Sequence, residues 1–303
     1  MSQSIYEGVT NAIIAALEAG VSGKVQLPWQ KSGMSHVSCD GRYYRGINTL
    51  LLSLAEAQRG YAFPVWGTYR AWAARGAQVK RGERGTRVLF WKLLRRAESE
   101  ADSGQDDAND SAKTIMLARA FTVFNHDQVE NAPAVRRPAP LVPHFEIEDA
   151  VSQALDGLAV DYLEGGDRAC YIPSMDRIQM PSRTQFVSNT AFHAVLLHEM
   201  IHATGAKKRL DRNLSGRFGS NAYAMEELVA EIGAAMACSL FGITTELRSD
   251  HVCYIADWLS VLRDNSRAVI SCAAQTQRAV DLISTAAGIN IPVQERIEQG
   301  EAA

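Results

Sequence analysis

The pentapeptide His198-Glu199-Met200-Ile201-His202 constrains this chain more than any other stretch. On an α-helix, residues four apart share a face, so both imidazoles of an HExxH sequence can reach one metal ion. Glu199 projects about 100° round the helix from His198, beside such an ion rather than onto it. A general base for an attacking water belongs there. No Pro or Gly interrupts residues 188–204. Ala191, Ala194 and Gly205 fall near the His face and leave room for an ion, while Leu196, Leu197, Met200 and Ile201 cover the other sides. The helix is therefore expected to be buried nearly all round.

So short a motif also arises by chance, and a buried His pair can be satisfied by core hydrogen bonds. A second element decides between these readings. Residues 223–231 continue a later helical pattern in which Glu227 and Glu231 stand four apart among Leu228, Val229 and Ile232. Two acids on an apolar helix are costly unless they meet a cation. Two His and one Glu form a catalytic zinc set with an open fourth position. The expected metal ligands are His198, His202 and Glu227, with Glu199 as the catalytic base in a metal-assisted hydrolysis. Glu226, about 100° away from Glu227 on the helix, competes for the third ligand place. The expected ion is one Zn2+ per chain, with Mn2+ as an alternative. Tyr223 is a candidate to polarise a substrate carbonyl or, equally, a packed core residue.

The 303 residues suffice for two domains, each with its own core. With 47% hydrophobic and 21% charged residues the composition is that of an ordinary globular protein. No apolar run approaches the roughly 20 residues of a membrane helix, so no membrane partner is expected. The first residues lack a basic segment followed by an apolar one, so no signal peptide is expected. Five scattered cysteines (Cys39, Cys170, Cys238, Cys253, Cys272) suit free thiols in a reducing compartment, hence the cytoplasm.

The charge is unevenly spread. Residues 1–97 hold 14 Lys and Arg against 5 Asp and Glu, and the remainder holds 17 against 29. A basic half joined to an acidic half suggests that the first half meets a polyanion. Single-stranded nucleic acid needs aromatic faces for bases and cations for phosphates. Arg42, Tyr43, Tyr44 and Arg45 supply both within four residues. Lys80, Arg81 and Arg84 form a basic turn in which Gly82 lets a phosphate approach the backbone. Trp66, Tyr69, Trp72, Trp91 and Lys92 are further candidates, with core packing the stronger reading for Trp72 and Trp91.

The expected fold class is α+β in two domains: an N-terminal domain over 1–131, a Pro-rich linker over 132–143 and a C-terminal domain over 144–303. The N-terminal part reads as a helix over 3–19, a helix capped by Asn48 or Thr49 and ending near Arg59, a short helix from Thr68 to Arg75, and strands over 86–95 and 114–125. Between those strands, residues 98–110 carry six acids and no large apolar residue, so 98–112 is expected to be a disordered acidic loop inserted in a hairpin. The C-terminal part reads as a helix over 145–157, short strands near 160–162, 169–172 and 177–180, and helices over 188–204, 223–240, 249–264 and 266–286. Its short strands offer an edge for an extended peptide.

With both halves read, the chain resembles the ArdC-type antirestriction proteins of conjugative plasmids. The N-terminal half is similar to their single-strand-DNA-binding domain, shared with TraC-type plasmid primases, through Tyr44-Arg45-Gly46-Ile47-Asn48, Trp66-Gly67-Thr68, residues 79–85, residues 88–92 and Phe124-Asn125-His126-Asp127-Gln128. The C-terminal half is similar to their zincin-like metallopeptidase domain through residues 176–181, the HExxH motif, Arg209-Leu210-Asp211-Arg212 and residues 226–231. The resemblance implies DNA contact by the matching Asn48 besides the residues above. Glu231 resembles the acid that orients a ligand His in zincins with a Glu as third ligand. By resemblance the protein binds single-stranded DNA in a bacterial recipient cell and protects incoming conjugative DNA from host restriction. The alternative is an active metalloprotease that cleaves a host protein such as a restriction enzyme, with the N-terminal domain only recruiting it to DNA. No primase catalytic motif is present.

Overall fold

The computed structural model describes residues 5–21, 35–95, 114–135, 139, 141–217, 219–243, 252–265 and 268–292. The acidic segment 98–112 lies outside the described residues. Eight helices are described: α1 (Ile5–Val21), α2 (Ile47–Arg59), α3 (Tyr69–Ala73), α4 (Ile147–Leu158), α5 (Asn189–Thr204), α6 (Asn221–Phe241), α7 (Val252–Asp264) and α8 (Ala268–Ala286). The strands are β1 (Val37–Ser38), β2 (Val65–Gly67), β3 (Gln78–Val79), β4 (Thr86–Arg95), β5 (Thr114–Asn125), β6 (Val129–Glu130), β7 (Asp161–Glu164), β8 (Cys170–Ile172) and β9 (Arg177–Met180). This is the expected α+β class.

In the N-terminal half, β4 and β5 pair antiparallel from Thr86↔Val123 to Arg95↔Thr114, so the acidic segment joins two paired strand ends. They extend a four-stranded sheet of order β1-β2-β5-β4, which leaves β4 outermost. Helix α2 covers β4, and between them lie the buried side chains of Leu52, Ala55, Trp66, Val88 and Val123. Helix α2 starts earlier than expected, with Gly46 in the cap position at φ 56°. Asn48 is inside the helix rather than capping it. Its amide donates to Leu89 O and accepts from Leu89 N, both at 2.7 Å. It thereby occupies main-chain groups that the outer edge of β4 would otherwise leave open.

In the C-terminal half, α5 packs against α6, and α6 against α8. The crossing of α5 and α6 is close because Gly233 has no side chain: a Cβ there would lie 2.9 Å from Ile201 Cδ1. A three-stranded sheet of order β7-β9-β8 flanks α5 and leaves β8 as an outer strand.

The two halves pack on each other. One apolar core runs from Ile13, Leu50 and Leu89 to Met200, Val229 and Val280. Polar links cross the same junction. Tyr43 N donates to Pro292 O at 3.1 Å and Gly46 N to Gln277 Oε1 at 2.7 Å, and Arg45 is paired with Asp281. Among the described residues, no helix is long and apolar enough to cross a membrane. Cys39, Cys170, Cys238 and Cys272 are free thiols.

Candidate metal centre and nucleic-acid face

Helix α5 begins at Ser188, whose hydroxyl accepts from Ala191 N at 3.1 Å, and ends at Gly205. Helix α6 begins at Ser220, which accepts from Tyr223 N at 3.2 Å, and ends at Gly242 with φ 72°. These stops fix the two helices in register, and the predicted ligands meet between them. His198, His202 and Glu227 each offer a ligand atom within 4.8 Å of the others. His198 Nε2 lies 3.8 Å from Glu227 Oε2 and His202 Nε2 3.7 Å from Glu227 Oε1. The imidazole rings stand edge to face, 4.9 Å apart. Ligand atoms held about 2.0–2.2 Å from one ion lie a little closer to each other than this, so modest side-chain rotation makes the donor set fit a divalent cation.

The opposite ring nitrogens face other acids. His202 Nδ1 is 3.1 Å from Glu226 Oε1. Arg212 grips that same carboxylate through Nε to Oε2 at 2.9 Å and Nη2 to Oε1 at 2.8 Å. Its Nη2 also donates to Ile201 O at 2.6 Å, closing the C-terminal turn of α5. The competing Glu226 thus lies behind His202, while Glu227 lies in front of both imidazoles. Glu231 Oε2 stands 3.9 Å from His198 Nδ1, at ion-pair distance but too far for a hydrogen bond. Burial lowers the His202 pKa, but the Glu226 hydrogen bond and the charges of Glu199 and Glu227 outweigh it, and the net shift is upward. Burial raises the Glu226 pKa, but hydrogen bonds from Arg212 and His202 hold it below the ordinary value.

Glu199 is buried beside the candidate ligands. Its Oε2 accepts from Tyr171 N on β8 at 2.8 Å. Tyr171 is itself anchored: its hydroxyl donates to Asp176 Oδ1 at 2.7 Å, and Arg209 and Lys208 pair with the same Asp176. Burial alone would raise the Asp176 pKa, but hydrogen bonds from Arg209, Lys208 and Tyr171 hold it at about 2. Burial, with Asp176 adding to it, pushes the Tyr171 hydroxyl up to about 12. A cavity of about 500 Å3 opens over His198, Glu199, His202 and Glu227, walled by Tyr171, Tyr223 and Trp258. Arg212 and Asp176 emerge only from the fold. In the sequence they were visible solely as parts of the Arg209–Arg212 and 176–181 motifs.

The expected DNA contacts divide sharply. Tyr43 and Tyr44 are 7% exposed, Asn48 6% and Trp66 0%. These four are core residues, which corrects their reading as DNA contacts: their rings and amide are spent on packing and on Leu89. Arg45 is spent on Asp281. Arg42, Lys80, Arg81 and Arg84 are exposed. The turn that carries the last three is held from beneath by Lys80 N donating to Gln128 O at 2.9 Å and Gln128 Nε2 donating to Arg84 O at 3.0 Å. Lys92 lies in β4, where it pairs with Leu117. Trp72 is buried, with its Nε1 donating to Phe124 O at 3.0 Å. Tyr69, by contrast, is 51% exposed, its hydroxyl accepting from Gln78 Nε2 at 2.5 Å next to the basic turn. Position was its only signal, because a residue just after a helix cap faces outward more readily than one within a strand.

The sequence also hid a Ser–His–Glu array. His36 Nε2 is 2.7 Å from Ser53 Oγ, and His36 Nδ1 is 3.5 Å from Glu56 Oε2. None of the three is more than 4% exposed. The array therefore reads as a buried polar network of the N-terminal core, not a nucleophile with a path to substrate.

Comparison with known proteins follows the same division. Residues 3–124 match the model of the N-terminal domain of the anti-restriction factor ArdC, and residues 149–275 match that of a zincin-like metallopeptidase. The crystal structure of antirestriction ArdC from plasmid R388, in its metal-free form, superposes with a TM-score of 0.77 at 32% identity, covering 97% of this chain and 100% of that one. The chain belongs to the ArdC antirestriction family. The Mn(II)-bound R388 structure superposes on this family member with a TM-score of 0.75 at 32% identity, covering 94% of this chain and 98% of that one. An uncharacterized protein of Sinorhizobium fredii, y4eC, is 43% identical over 281 residues, 91% of this chain and 90% of its own. A DNA primase TraC of Escherichia coli is 34% identical over 300 residues, and the chain spans only 27% of that primase.

Proposed function

We propose that this chain is an antirestriction protein that binds single-stranded DNA through its N-terminal part and carries a divalent-metal hydrolytic centre in its C-terminal part. In this reading residues 1–131 form the DNA-binding domain, 132–143 the linker and 144–303 the metallopeptidase-like domain. The observation that carries the metal reading is the meeting of His198, His202 and Glu227 with Glu199 beside them. Zinc suits this imidazole–carboxylate set, and the R388 relative supports manganese as the alternative. When bound, such an ion polarises a carbonyl and acidifies water.

The protein's own groups supply the rest. His198, His202 and Glu227 hold the ion, with Glu226 fixing the His202 ring through its Nδ1. Glu231 lies on the corresponding side of His198. Glu199 is the base that takes a proton during attack on a carbonyl and returns it to the leaving group. The Tyr171 N–H keeps one Glu199 oxygen turned toward β8, and Tyr171, Tyr223 and Trp258 wall the cleft from water.

On the N-terminal side, Arg42, Lys80, Arg81 and Arg84 contact phosphates and Tyr69 stacks a base. Coating incoming single strands hinders access to them and delays their conversion to cleavable duplex. The second reading, proteolysis of a host protein, is favoured by the placement of Glu199 against an outer strand able to hold a peptide. A restriction-protection assay separates the two. Glu199→Ala is expected to keep most protection, and Lys80, Arg81 and Arg84 changed to Glu are expected to lose it. If Glu199→Ala loses protection with folding, metal content and DNA affinity intact, shielding is wrong and proteolysis takes its place.

A further inference from the structure

We infer that Arg168 selects peptides bearing a carboxylate side chain two or three residues from the bond cleaved at Glu199. The inference rests on the peptidase reading of the metal centre and adds the class of substrate it takes. Four carboxylates line the cavity, those of Glu199, Glu226, Glu227 and Glu231, and Arg168 is its one lining Lys or Arg among the described residues. The neighbouring arginines are spent, Arg212 on Glu226 and Arg209 on Asp176. Arg168 is exposed and makes no ion pair or hydrogen bond among the described residues. An exposed guanidinium lining an acidic cavity and pairing with none of its acids is available to a carboxylate that a ligand brings.

The loop before it is fixed in place. Gly165 (φ 141°) and Gly166 (φ 87°) turn the chain at the end of β7. Gly165 N donates to Met180 O at 2.7 Å, and Gln185 Nε2 donates to Gly166 O at 2.9 Å, so the turn is pinned two residues ahead of Arg168.

Strand geometry then places Arg168 relative to the chemistry. β8 is an outer strand, and its Tyr171 N–H points away from β9 to Glu199. That edge therefore faces the cavity, with its Tyr171 N–H taken by Glu199. An extended peptide laid along that edge has its reacting carbonyl near Tyr171 and Glu199. Arg168 lies three residues back, just before β8, at most roughly 10 Å away along the chain, and it lines the cavity together with Cys170. The planar fork of an arginine suits a carboxylate. A peptide can set one carboxylate at Arg168 and keep neutral residues against the four acids. A nucleic-acid strand carries a charge at every residue and would meet those acids as well, so the wall chemistry favours the peptide.

The test uses full-length protein carrying Glu199→Gln, so that peptides are not turned over. Fluorescein-labelled octapeptides of Ala and Ser, with one Glu, Gln or Lys moved through the positions, are titrated by anisotropy, with a labelled oligo-dT in parallel. Glu is expected to bind roughly five- to tenfold tighter than Gln at one or two adjacent positions only. Arg168→Ala is expected to remove that preference and Arg168→Glu to turn it toward Lys. Arg168 is exposed and makes no ion pair among the described residues, so both variants should keep the circular dichroism and metal content of the parent. Peptides that bind without a local Glu preference, or with one that survives Arg168→Ala, overturn the inference and leave the peptidase reading standing. Binding of no peptide, together with no peptide cleaved by the wild type, overturns both. Loss of oligo-dT affinity in Arg168→Glu without any peptide preference assigns the guanidinium to a DNA phosphate instead.

Discussion

The C-terminal half brings its chemistry together from two helices, α5 and α6, whose facing side chains are fixed by helical spacing. The N-terminal half presents Arg42 and the cations of the Lys80–Arg84 turn to solvent and buries most of the aromatics expected beside them. Tyr44 and Trp66 lie inside the core, whereas Tyr69, three residues from the fully buried Trp66, is half exposed. The difference teaches what a local pattern can carry. A four-residue spacing on a helix determines which side chains share a face. A run of aromatics and arginines does not say which of them faces solvent, because that depends on strands and helices distant in sequence.

The sharpest way to break this comparison is at Glu199. If the helical spacing has placed a true base there, Glu199→Gln should lower peptide hydrolysis by about 10²–10⁴ while leaving metal content unchanged. His202→Ala should instead abolish metal uptake and with it the rise in melting temperature on adding zinc. Hydrolysis that survives Glu199→Gln would mean that the motif is only structural. On the N-terminal side the matched experiment is Trp66→Ala against Tyr69→Ala. The first should cost about 3–5 kcal/mol of stability. The second should leave unfolding nearly unchanged and weaken single-strand binding by about 1–3 kcal/mol. Equal stability losses would erase the contrast between core and surface aromatics.

Elements of both halves were legible in the sequence where a local pattern decides them. Thr86–Arg95 and Thr114–Asn125 stand where their β-branched and aromatic runs placed them, Arg177–Met180 stands where it was expected, and α5 begins within a residue of its expected start. The start of α2 was misread because Asn48 is a good cap in isolation. Its amide instead serves Leu89, forty-one residues away, and no local rule sees that partner. The Glu226–Arg212 and Tyr171–Asp176–Arg209 supports were invisible for the same reason: each joins a loop to a helix or strand through tertiary contact alone.

Smaller effects sharpen the comparison. Lys80, Arg81 and Arg84 changed together to Glu should reduce the salt slope of single-strand binding by about 2, at about 0.7 per lost phosphate contact, with stability almost untouched. A slope that does not change would move the DNA face away from this turn. In the metal half, Glu226→Gln keeps shape but weakens the acceptor behind His202. It should lower metal affinity about 10–100-fold, measured by competition with a chelator. An unaltered affinity would show that Glu226 serves only the Arg212 clamp.

The smallest expected effect concerns Asp176, which holds Tyr171 and through it the strand that faces Glu199. Its carboxyl sits at about 2 in the folded protein against an ordinary 3.8. A folded-state pKa below the unfolded one contributes stability that is complete above the unfolded value and is lost as the pH falls through the folded one. The window is therefore pH 4 down to pH 2. Asp176→Asn is the right comparison because Asp176 has φ 47°, a conformation that Asn tolerates about as well as Asp. The backbone is then matched and only the charge differs. The wild type should exceed Asp176→Asn in urea-unfolding stability by a constant amount above about pH 4.5, and the excess should shrink toward pH 2. With the side chain 25% exposed, solvent screening keeps that excess to about 1 kcal/mol or less. The same variant should slow peptide hydrolysis at neutral pH if the clamp positions Glu199, a change that stability alone would not produce at a temperature where both proteins are folded. An excess that persists unchanged to pH 2 would mean that Asp176 acts by hydrogen bonding irrespective of charge. An unchanged hydrolysis rate would separate the hairpin from the centre and leave the ligands on α5 and α6 as the whole of the machinery.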